Sequence, residues 1–190
     1  MKNHIATAVA LLLIGAAGAH ATPLPLQGAT ITATYNGKAD GMLGLDHWFA
    51  QEAGSNTSTL DPTGTGVEFL TSDYLFGIDF AASGALTVIA NGAIPTGAYS
   101  MRFDFGSSLA NPISAFTLAG ASGATGAPGL SIVDAHTIAL DLGAVGWAEF
   151  GSLTAQVDTS APVPEPASVA IVLAGLAGIG FARRSRNPHA

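Results

Sequence analysis

The chain of 190 residues contains no cysteine. That excludes disulfide cross-links, so the fold must rest on its own apolar core, and it excludes zinc sites built on thiolates. Basic residues are scarce as well: six Lys and Arg stand against thirteen Asp and Glu, for a net charge of −7. Lys2, Arg183, Arg184 and Arg186 lie near the two ends, and between Thr22 and Pro164 only Lys38 and Arg102 remain. Twelve acids face those two cations, so the central body carries about −10. Such a surface repels phosphate backbones and anionic lipid, because nucleic-acid binding requires Lys and Arg to displace counterions. Nucleic acid is excluded as a partner. Histidine is sparse too: the body has only His47 and His136, too few for a three-histidine catalytic metal site. No His-Glu-x-x-His, Gly-x-Ser-x-Gly or P-loop pattern occurs, and Gly64-Thr65-Gly66 lacks the third glycine and the basic partner of a phosphate loop.

What is present begins with an apolar start. Met1-Lys2-Asn3-His4 is weakly basic, Ile5 to Ala17 is apolar apart from Thr7, and Ala19-His20-Ala21 supplies a small-x-small cleavage pattern. Residues 1–21 therefore read as a secretory signal peptide cut by signal peptidase after Ala21, with Ala19 and Ala21 as the cleavage residues. An uncleaved anchor is the alternative, but the run is short for a span. The mature chain then starts at Thr22.

The body alternates with period two. Ile31, Ala33 and Tyr35 interleave with threonines; Phe76, Ile78 and Phe80 interleave with Gly77 and Asp79. Tyr99, Met101, Phe103 and Phe105 stand against Ser100, Arg102 and Asp104. Ile138, Leu140 and Leu142, and later Leu153, Ala155 and Val157, repeat the pattern. These are half-buried antiparallel strands with one wet face. Turn signals fall between them, including Asn36-Gly37, Asn91-Gly92, Asn111-Pro112 and Pro128-Gly129. The expectation is one all-β domain over residues 22–158, an antiparallel β-sandwich or jelly roll. Met42 to Ala53 is the one candidate short helix, Gly120 to Gly129 reads as a long flexible loop, and residues 159–166 read as a linker. The repeated Pro-Thr-Gly triplet and Ala-Ser-Gly-Ala tetrad are turn-sized echoes and do not make a solenoid.

The other end is organised differently. Val163-Pro164-Glu165-Pro166 is followed by an uncharged apolar run from Ala167 to Ala182 and then Arg183-Arg184-Ser185-Arg186. As a helix, residues 167–182 span about 24 Å, short for a hydrocarbon core but sufficient once Arg183, Arg184 and Arg186 snorkel to the headgroups. Its small residues allow close helix approach. The basic cluster, residues 183–190, belongs in the cytoplasm, so the precursor should sit N-out and C-in in the inner membrane. The two prolines keep Glu165 on an extended segment at the membrane surface, open to a processing enzyme.

This tail resembles the PEP-CTERM sorting signal, over about the last 25 residues. The resemblance implies recognition by an exosortase, a multi-spanning transpeptidase with its own cysteine nucleophile. Pro164, Glu165 and Pro166 would be the recognition element, and the arginines the stop signal. It further implies a Gram-negative host, a membrane-anchored precursor, and a destination at the cell surface or in an exopolysaccharide or biofilm matrix. On this reading the chain is a substrate and not an enzyme, and no cofactor is expected.

Two ligands follow from the residues themselves. Asp40, Asp46, Asp61 and Asp73 lie in or near predicted loops, where hard oxygens could gather calcium, although their spacing matches no EF-hand. Tyr35, Trp48 and Trp147 could offer flat faces to carbohydrate, with Asp46, His47 and Glu149 for hydroxyl groups; the competing expectation is that the tryptophans fill the core. A triad of Ser, His136 and Asp134 lacks any singled-out serine. Asn56-Thr57-Ser58 is a formal glycosylation sequon in a Thr-rich loop. The leading expectation is thus a noncatalytic surface or matrix protein, the second a secreted carbohydrate-binding module, and an exported hydrolase a distant third.

Overall fold

A computed structural model of the chain describes residues 22–23, 26–61 and 66–159. The described strands run in order β1 (Thr22–Pro23), β2 (Thr30–Tyr35), β3 (Met42–Gly44), β4 (Thr57–Thr59), β5 (Phe69–Thr71) and β6 (Phe76–Phe80). They continue as β7 (Ala85–Ala90), β8 (Ser100–Asp104), β9 (Ile113–Thr125), β10 (Gly129–Asp134), β11 (Thr137–Asp141) and β12 (Gly146–Thr159). Every ladder is antiparallel. One sheet follows the path β1-β12-β7-β6-β5-β3 with β9 also paired to β12; the other follows β10-β11-β8-β2-β4. Leu153 of β12 faces Val88 in one register and Ala121 in the other, so β7 and β9 take opposite edges of that strand. The all-β sandwich expected from the alternation is the observed architecture.

The alternating residues do what their spacing demands. Ile31, Ala33, Phe76, Ile78, Phe80, Phe103, Ile138, Ala155 and Val157 are fully buried, while their neighbours face outward. Phe80 packs edge-on against Phe103 and Phe105, at centroid distances of 5.1 and 5.9 Å, and Phe76 against Trp147 at 5.5 Å. The Phe80–Phe103 contact joins the inner faces of the two sheets, whereas Phe76 and Trp147 pack within one of them. Each buried ring contributes about 1.5–3 kcal/mol by leaving water, and no covalent cross-link assists it. Asn36 and Gly37 both take positive φ, 49° and 74°, closing the Tyr35–Lys38 hairpin that the Asn-Gly pair predicts.

Three expectations are corrected. Met42 to Ala53 is not a helix: Met42–Gly44 is claimed by β5 as a strand, and only Leu45–His47 makes a single tight turn before the left-handed Trp48 and Phe49. Gly120 to Gly129 is not a loop: residues 120–125 belong to β9, ladder to β12, and only 126–128 connect to β10. Small residues suit that ladder because backbones come close there; a Cβ on Gly151 would sit 2.6 Å from the Gly123 carbonyl oxygen. Finally, Thr159 pairs with Thr22 and with Ile113, so it closes the body and does not begin the linker. That pairing brings both ends of the body to one corner of the sandwich.

Candidate functional site

The three aromatics expected to meet carbohydrate do not come together. Tyr35, on β2, is 5% exposed, and its hydroxyl donates to Asp73 Oδ2 at 3.0 Å. Burial first, and the Asp73 carboxylate second, raise its phenol far above the usual range. Trp147, on β12, is 4% exposed and packs on Phe76. Core filling therefore takes both away from any surface platform. Trp48 is 88% exposed at the left-handed position that ends the 45–47 turn.

The carboxylates of the calcium reading are spent locally. Asp46 Oδ2 accepts the Thr59 N–H at 2.9 Å, and Asp73 accepts both the Tyr35 hydroxyl and the Leu75 N–H. Asp61 is half-buried and engaged. Asp40 instead borders a cleft of about 590 Å³ shared with Asn36, Lys38, Gln51 and Glu52. Among the described residues no group of three or more His, Asp or Glu side chains is arranged to hold a metal.

The histidines follow the same local logic. His47 Nδ1 lies 2.6 Å from Glu52 Oε1 on the surface. His136 sits in the β10–β11 turn, its backbone N–H donating to Asp134 Oδ1 at 2.9 Å. That bond, with help from Thr137 and from Arg102 at 3.7 Å, holds the Asp134 carboxyl below its usual range. No serine hydrogen-bonds either ring among the described residues.

One buried titratable group stands apart from all the expected site residues. Glu68 precedes β5 and is fully buried. Its Oε2 accepts the Phe80 N–H at 2.7 Å, whereas Oε1 has no partner among the described residues. β5 pairs β6 only at Ile78 and Gly77, so the Glu68 carboxyl takes the place of a missing strand beside Phe80. Burial is the main cause pushing its pKa up to about 7; the Phe80 N–H opposes this and the nearby Asp79 carboxyl adds to it. Asp79 is itself raised by burial. An acid placed immediately before a buried aromatic, Glu68-Phe69, is the only cue in the sequence.

The residues expected to carry sorting, Pro164, Glu165, Pro166, Arg183, Arg184 and Arg186, lie outside the described residues. So do Ala19, Ala21 and the apolar run 167–182. No described helix is long and apolar enough to cross a membrane. Residues 162–187 match the family model described as the PEP-CTERM protein-sorting motif. The chain carries a PEP-CTERM sorting motif. It covers the proline-flanked glutamate, the apolar run and the arginine cluster in that order. The motif marks an exported protein with an exosortase as its processing partner, made as a membrane-anchored precursor and processed for the cell surface. No curated protein and no solved structure matches the chain.

Proposed function

We propose that this is a noncatalytic protein of the cell surface or extracellular matrix, a disulfide-free acidic β-sandwich delivered through its PEP-CTERM tail. The observation that carries the proposal is the tail itself: three elements in fixed order at residues 162–187, behind a body that is a single all-β unit. In a Gram-negative envelope, signal peptidase would release the start after Ala21 and the inner membrane would hold residues 167–182. The exosortase would grip Pro164-Glu165-Pro166, and exopolysaccharide would be the surrounding medium at the destination.

The noncatalytic reading draws on the same local pairings. His47 is held by Glu52, and His136 sits on a turn beside Asp134 with no nucleophile bonded to it among the described residues. A general base works on a proton donor within hydrogen-bond reach, and among the described residues no hydroxyl is bonded to either ring. The acidic body, at about −10, suits a hydrated surface layer and stays soluble by self-repulsion.

The test is replacement of Pro164-Glu165-Pro166 by three alanines in the native host. The expected result is a full-length precursor retained in the inner membrane, without the shift in size and location of the parent. Unchanged processing and delivery would leave only an ordinary membrane anchor and overturn the proposal.

A further inference from the structure

Two aromatic side chains stand exposed on the outer face of the larger sheet, and both occupy backbone conformations that bulky residues avoid. Tyr74, in the β5–β6 turn, is 56% exposed with φ 57°; Phe150, within β12, is 68% exposed with φ 55°. Left-handed backbone is unfavourable at a residue of this size and persists only where its surroundings hold it. Both are held. The Tyr74 N–H donates to Thr71 O and its carbonyl accepts Asn91 Nδ2 at 3.1 Å, while the Asn91 N–H donates to Leu75 O. Phe150 lies in the register shift of β12 between Trp147 and Ser152, where an irregular ladder re-aims a side chain.

Between these rings the sheet has a built depression. Leu70, Gly77 and Ile89 are direct register partners across β5, β6 and β7. Their neighbours Phe69, Ile78 and Val88 are fully buried, so this row faces outward. Glycine between two branched residues leaves a dip, and Tyr74, Phe150 and Asn91 border it to enclose about 280 Å³. That lies at the lower edge of the roughly 300–1,000 Å³ typical of small-molecule sites, room for a single ring.

We propose that the Tyr74–Phe150 cleft is a binding subsite for one ring of a neutral saccharide. No carboxylate, ammonium, guanidinium or imidazole lines it among the described residues, and the body around it carries about −10. An anionic ligand would be repelled by that field, and a cation would find no counter-charge in the cleft. A sugar ring matches what is left: a C–H face for the aromatic planes and hydroxyls at the edge for the Tyr74 hydroxyl and the Asn91 amide. Asn91 uses its Nδ2 on Tyr74, and its Oδ1 takes no hydrogen bond among the described residues, which leaves an acceptor for a ligand hydroxyl. This inference is independent of the sorting reading.

The test uses the full chain in detergent, titrated by calorimetry with cellohexaose, maltohexaose and chitohexaose. Hexagalacturonate serves as an anionic comparison, and decanoate and N-acetylphenylalanine amide as apolar ones. At least one neutral hexasaccharide should bind saturably. Tyr74→Ala and Phe150→Ala should each weaken it about tenfold, while Tyr74→Phe and Phe150→Trp keep most of the affinity. Gly77→Val fills the dip and should abolish binding, and Gly77→Ala, whose single added Cβ meets Val67 Cγ1 at 3.4 Å and Leu70 Cδ2 at 3.7 Å, is the milder variant and should weaken it. The proposal is overturned if no neutral hexasaccharide binds, if binding survives Gly77→Val in a folded protein, or if only decanoate or the phenylalanine amide binds there.

Discussion

The carboxyl of Glu68 accepts the backbone N–H of Phe80 at 2.7 Å, closing a strand edge that β5 is too short to cover. A side chain thereby does the work of a ladder partner inside the core, next to the Phe80–Phe103 contact. The arrangement leaves Glu68 Oε1 buried and without a partner among the described residues, with Asp79 nearby.

The first prediction is a pH dependence. Glu68 is raised to about 7 in the folded protein, so folding favours its protonated form. Stability should be highest below the unfolded value of about 4.5, fall as pH rises from there to the folded value of about 7, and flatten above it, once the side chain is ionised in both states. The whole effect is on the order of 3 kcal/mol. Urea midpoints for residues 22–159 at about pH 5.5 and about pH 8.5 capture the larger part of it, about 2 kcal/mol. Glu68→Gln keeps an acceptor for Phe80 and adds a donor toward Asp79, so its midpoint should be nearly flat across that range. A parent protein more stable at the alkaline end would contradict the assignment.

The two tryptophans should behave oppositely. Trp147→Ala removes a ring from the core and should cost about 3–5 kcal/mol. Trp48→Ala, at an 88% exposed position, should change stability by no more than about 0.5 kcal/mol. Acrylamide quenching of the parent and of each single-tryptophan variant reads the same difference directly. Equal quenching of both would place Trp147 at the surface.

The β9–β12 ladder can be broken at one glycine. Gly151→Ala sets a methyl 2.6 Å from the Gly123 carbonyl, which neither backbone can absorb without moving. Amide exchange should quicken across residues 117–125 in that variant while β6 and β8 stay protected. If residues 120–125 already exchange freely in the parent, they form a loop and not a strand.

The Asn36-Gly37 hairpin gives a milder case. Gly37 has φ 74° with open space around its Cα, so Gly37→Ala meets no clash and pays only for left-handed backbone. The expected loss is about 1 kcal/mol by denaturant melting. A loss near zero would mean that the turn is not held in this form.

Much of the sandwich was legible because each half-buried strand declares its inner face. Met101 and Phe103, or Leu153, Ala155 and Val157, are apolar at every second position, and water on one side of a sheet imposes that spacing. Even Phe150 was signalled: counting back from Leu153, it falls out of phase with the core. Residues 120–125 carried no such sign, since alanine, glycine and serine look alike on either face and β12 alone makes them a strand. Tyr35 and Trp147 left both readings open, because their side chains suit a sugar as well as a core, and the structure places both in the core.

The sequence by itself determined where this protein is sent, since a sorting motif is read as a linear segment by the enzyme that grips it. It also determined that the body is an acidic all-β unit without disulfides, through composition and period-two alternation. Only the tertiary structure decided which aromatics face solvent, why Glu68 is buried, and that Leu70, Gly77 and Ile89 line up between Tyr74 and Phe150. Those relationships depend on register between distant strands, and register is fixed when the whole core closes at once.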